Sequence, residues 1–175
     1  GYDQRLAILS QAKAHFSLQS DLPEDFNGVP VLNNIRSWFF PGQTSRDPGD
    51  IGRLWRVFRL GLEEAPLGNT DFLQAVDEAL EVKQTNVNLT MGLFWIRPET
   101  FLSLDQSSRD YLGIRLPARG LSAKFYVDTV KSIREDGKSF PEISLAAWGV
   151  ENERTRKVAE EKEAKYRAWG GINYW

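Results

Sequence analysis

Apolar residues recur at helical spacing along most of the chain, and the places where they stop divide it into segments. From Gln4 to Gln19 the residues Leu6, Ile8, Leu9, Ala12 and Phe16 predict one helix, and Ser20 to Pro30 then breaks the pattern with two prolines and a glycine. Val31 to Phe40 reads as a short helix with Leu32, Ile35 and Phe39 on one side, stopped by Pro41-Gly42. After a polar loop the best periodic segment runs from about Asp50 to Glu64, where Ile51, Leu54, Trp55, Phe58 and Leu62 make a stripe that should face a core. Asp47 before Pro48 has the character of a helix start, because aspartate accepts hydrogen bonds from free first-turn N–H groups and proline suits that turn.

Thr70 to Lys83 repeats the logic, with Asn69 or Thr70 as cap and Phe72, Leu73, Val76 and Leu80 inside. Leu89 to Ile96 is apolar almost throughout, so period alone does not separate a buried helix from a buried strand; helix is the reading preferred here. Asp105 is placed to cap a short helix through Tyr111 and Leu112, and Leu121 to Arg134 and Pro141 to about Trp169 complete the series. From Glu151 onward charges carry the pattern: Glu153 with Lys157, Glu161 with Lys165, and Glu163 with Arg167 stand four apart with the acid first, the favourable order on a solvated helix. The expectation is an all-α fold, a single irregular helical domain of about seven or eight helices. Residues 1–148 would form the domain, with Trp55, Phe58, Phe94 and Leu104 buried. Residues 149–175 would be a charged connector helix running into the start of a further domain.

Composition narrows the chemistry. A length of 175 residues suits one core, and 41% hydrophobic with 26% charged residues points to neither disorder nor a membrane protein. Six tryptophans are a surplus that mostly suggests core and, secondarily, a partner surface. The formal charge of −2 argues against binding nucleic acid by overall attraction, leaving a local patch as the alternative. With no cysteine, no signal pattern and no long apolar run, a cytoplasmic location away from membranes is expected.

Catalytic signatures are sparse. With one histidine, His15, read as an ordinary surface or helix residue, neither a histidine metal cluster nor a His-containing triad is expected, and no glycine-rich phosphate loop occurs. Asp77 with Glu81-Val82-Lys83 imitates the aspartate and Glu-x-Lys pattern of metal-dependent nucleases, although a solvated helix face explains these residues as well. The expectation is a chain with no catalytic residues, no metal and no cofactor of its own. One run points outward: Arg36, Arg46, Arg53, Arg56 and Arg59, interrupted only by the acids Asp47 and Asp50, would place a small basic face opposite the apolar stripe. Such arginines would hold phosphate without reading bases, or else pair with neighbouring acids.

The stretches VPVLNNIRSWFF, IGRLWRVF, NLTMGLFWIRPETFLSLDQSSRDYL and KSFPEISLAAW together resemble a region of McrB-like bacterial restriction ATPases, over roughly Val29 to Trp148. The most specific part is Asn88 to Leu112, and the terminal INYW resembles the opening of an EVE-type, PUA-like β-domain that reads modified bases. This resemblance implies a multidomain parent in which an AAA+ motor and a nuclease subunit act on foreign, often modified, DNA. It transfers no catalytic role to this chain. It implies either an accessory DNA-binding module using the five arginines, or a protein-interaction and spacer domain that holds the base reader relative to the motor. Phe94, Trp95 and Phe101 are candidates for stacking an extruded base, with core packing as the alternative.

Overall fold

The computed structural model describes residues 1–25, 39–134 and 137–170. Among the described residues there are seven α-helices and no strand: α1 (Tyr2–Phe16), α2 (Asp50–Gly61), α3 (Thr70–Leu80), α4 (Asn86–Ile96), α5 (Gln106–Leu112), α6 (Ala123–Arg134) and α7 (Phe140–Gly170). The fold is all-α. Residues 31–38, most of the short helix expected there, and the terminal INYW lie outside the described residues, as does Arg36.

The chain divides into two compact units, Gly1–Ser37 and Trp38–Trp175. In the first, α1 ends at Ser17 in a left-handed conformation, and the Tyr2 hydroxyl donates to the Glu24 carbonyl at 2.9 Å. Its apolar residues are too evenly spread around the helix to make a face, and none of its residues is buried.

The second unit holds the core. Leu54 and Val57 of α2, Phe72, Ala75, Val76 and Ala79 of α3, Leu89 and Leu93 of α4, and Tyr126, Val127 and Val130 of α6 are buried together with Phe101, Leu102 and Leu104. Each such large side chain contributes about 1.5–3 kcal/mol through burial. The rings of Phe72 and Phe101 stack with centroids 5.5 Å apart. Asn69 caps α3 by accepting from the Asp71 N–H, and Asp105 caps α5 by accepting from the Ser108 N–H, so both expected caps form. α4 confirms the helical reading of its apolar run. Its Thr90 hydroxyl accepts the buried Leu104 N–H at 2.9 Å and donates to the Val87 carbonyl at 2.7 Å, tying the segment after α4 back onto the helix.

α2 departs from the expected stripe. Its buried face is Asp50, Leu54, Val57 and Gly61, whereas Trp55 is 64% exposed and Leu62 60%. Phe58 and Phe94 are only half-buried against the core, and Leu104 is fully buried. At 3.6 residues per turn the buried face lies about a quarter turn from the expected one. The cause is close packing. A Cβ at Gly61 would stand 3.3 Å from Leu93 Cδ2 and 3.4 Å from Phe101 Cζ, so these neighbours already approach the glycine side closely and would have to give way to a larger residue there. Asp50 is drawn inward because its carboxylate accepts the Asp47 N–H at 2.9 Å. The helix therefore starts at Asp50, capped by Gly49 at φ 95°, and not at Asp47-Pro48 as expected.

α7 lies against α5 and buries Phe140, Ile143 and Ala147. From residue 152 to 167 its side chains are exposed and joined by ion pairs, including Lys157–Glu153 and Arg167–Glu163. Among the described residues no ion pair joins Glu161 to Lys165; Arg156 instead bridges Glu153 and Glu160.

Candidate functional site

The arginines singled out from the sequence are mostly occupied. Arg46 donates from Nε to the Pro41 carbonyl at 3.0 Å and lies over the Phe40 ring, 5.1 Å from its centroid. Arg53 faces Asp50 at 3.7 Å. Arg56 reaches across to α3 and donates to Glu78 at 2.6 Å, and this bond, seconded by the Gln74 amide, holds the Glu78 carboxyl below its ordinary pKa. Arg59 is exposed and makes no ion pair among the described residues. It lines a cavity of about 370 Å³ with Arg56 and Leu60, but Glu63 and Asp71 line it too. The expected basic face is thus a face of mixed sign, with Arg59 its one unpaired member among the four described arginines of the run.

What α2 does present outward is apolar. Ile51, Trp55 and Leu62 are exposed, with Arg59 one turn beyond Trp55 on the same side of the helix. The same holds elsewhere in the second unit: Trp55, Trp95 and Trp148, the three tryptophans whose side chains are described, are 64%, 63% and 63% exposed. The surplus of tryptophan does not serve the core at any described position. A buried tryptophan normally finds a partner for its indole N–H, and an exposed one keeps both its area and its donor for another surface.

A family model described as "Domain of unknown function (DUF8425)" matches residues 2–150. The chain belongs to this family. No curated protein and no solved structure matches it. The match takes in α1 to α6 and the packed start of α7, so the exposed tryptophans and the arginine run both fall within the DUF8425 domain.

The remaining candidates of the DUF8425 domain resolve into structural roles. Asp77 Oδ1 accepts the Ala123 N–H at 2.7 Å and so caps α6, Glu81 ends α3, and Lys83 faces Asp47 at 3.5 Å. The three do not converge, and among the described residues no group of three acidic, histidine or cysteine side chains is placed to hold a metal. His15 is exposed on α1, edge-on to Phe16. Of the stacking candidates, Phe101 is core, Phe94 half-buried and Trp95 exposed. Sequence reasoning passed over Arg97. Its Nη1 donates to the carbonyls of Gly61 at 3.1 Å and Glu63 at 2.6 Å, satisfying the end of α2 from the end of α4. The only signal for it was an arginine placed between an apolar helix and Pro98.

Proposed function

We propose that this DUF8425 domain is a protein-interaction module of a McrB-like restriction system, holding a base-reading domain relative to an AAA+ motor. The observation that carries this reading is the exposure of Trp55, Trp95 and Trp148, each close to two-thirds accessible. Tryptophan and arginine are the residue types most enriched among the energetic centres of protein interfaces, and α2 displays Trp55, Leu62 and an unpaired Arg59 on one side. The occupant matching that side is a neighbouring domain of the same parent that offers an apolar anchor for Trp55 and a carboxylate for Arg59. The resemblance at Asn88 to Leu112 supplies the system; the surface supplies the role. The parent would act in the cytoplasm on foreign DNA with its nuclease subunit.

The competing reading, phosphate contact by the α2 arginines, is weakened by the acids beside them. Titrating duplex DNA at two salt concentrations against wild type and the Arg53→Gln/Arg56→Gln/Arg59→Gln variant separates the two. The interaction reading expects the same affinity and the same salt dependence from both proteins. A loss of about 2.7 in log–log slope in the folded variant, roughly 0.9 per phosphate contact, would restore the DNA-binding reading and displace the one proposed.

A further inference from the structure

A second cavity, of about 300 Å³, is lined by residues 65–68, Arg97, Thr100 and Lys131. Among the described residues its lining carries two cations and no carboxylate, in contrast to the α2 cavity, where Glu63 and Asp71 offset two arginines. We infer that this cavity is a seat for a phosphoryl oxyanion, held by Arg97 and Lys131.

Arg97 is half-buried, and the partners that fix it, the Gly61 and Glu63 carbonyls, are neutral. A charge partly withdrawn from water thus stands without a counter-ion among the described residues. Such a cation is costly unless an anion joins it, and its orientation is already set before any ligand arrives. Both Nη1 hydrogens are used by the two carbonyls, which leaves the Nε and Nη2 edge as the donor fork. Lys131 brings a second cation from α6, a separate element, with no ion pair of its own among the described residues. A flat carboxylate would satisfy the fork alone. A tetrahedral phosphoryl group has oxygens for the fork and for an ammonium approaching from another direction, which is the donor set this cavity offers.

The test is a ¹H–¹⁵N NMR titration of the chain with inorganic phosphate, at constant ionic strength set by chloride. Saturable shifts are expected at the Gly68 and Thr100 amides and at Arg97 Nε–H. Lys131 is an exposed side chain, so its replacement leaves the fold intact; Lys131→Gln should weaken binding about fivefold, the upper end for an exposed ion pair, and Lys131→Arg should retain it. Lys131→Glu should abolish the shifts. A short DNA duplex added in competition identifies the source: displacement of phosphate from these resonances means a backbone phosphate, and its failure to displace means a free phosphoryl ligand. Shifts that do not saturate, or that persist unchanged in Lys131→Glu, overturn the assignment. The α2 triple variant leaves this cavity untouched, so the outcome here is separable from that of the interaction reading.

Discussion

α2 and α3 lie against each other, and both are amphipathic helices of similar length with charges on one side, yet they treat their largest residue in opposite ways. α3 puts Phe72 at the centre of the core, fully buried against Phe101, while α2 leaves Trp55 outside at 64% exposure. The difference lies in the small residues. On α3, Ala75 and Ala79 share the buried face with Phe72 and Val76, so size and smallness alternate on one side. On α2 the buried small position, Gly61, falls on a different side from Trp55 and Phe58, and the close approach of Leu93 and Phe101 selects that side. A helix is oriented by where its neighbours can approach as much as by where its largest apolar residues stand.

The sharpest way to break this contrast is truncation on each helix. Phe72→Ala or Phe101→Ala should cost about 3–5 kcal/mol, read from denaturation midpoints, because each empties a stacked, fully buried ring site. Gly61→Val should cost about 1–3 kcal/mol by overpacking against Leu93 and Phe101; a neutral result would mean that α2 has freedom to shift and that Gly61 does not set its phase. Thr90→Val should cost about 1–3 kcal/mol in the same assay, since it strands the buried Leu104 N–H without an acceptor. Trp55→Ala, by contrast, should move stability by no more than about 0.5 kcal/mol, as an exposed substitution does. The smallest effect concerns the charges between the two helices. Glu78 is held below its ordinary pKa chiefly by the Arg56 hydrogen bond, so its contribution is present at neutral pH and is lost as pH falls through the lowered value. Arg56→Gln should therefore raise the Glu78 pKa in an NMR titration, and an unchanged value would show that the pair does not persist in solution.

Periodicity and caps were enough to place α2 to α7 along the chain: Asn69, Asp105 and the run LTMGLFWI behave as their types dictate. Periodicity failed on the phase of α2, where the decisive contacts come from Leu93 and Phe101, more than thirty residues away in sequence. The candidate site was legible only in part. Arg53 and Arg56 were visible as a cluster, and Asp50 stands three residues before Arg53 on the same helix, within reach of spacing, but Glu78, which pairs with Arg56, is brought to it from α3 by the fold. Arg97 was invisible for the same reason: its partners, Gly61 and Glu63, are brought to it by the fold.

If, as proposed, the outer side of α2 is covered by another domain of a longer parent, the exposure of its side chains differs between this chain and that parent. Hydroxyl-radical footprinting read by mass spectrometry reports oxidation of Trp55 and Leu62 separately, in the 175-residue chain and in the intact parent. The account predicts that both residues oxidise readily in the chain and are shielded in the parent, with Arg59→Glu restoring their oxidation there. Equal oxidation of Trp55 and Leu62 in the chain and in the parent would contradict it.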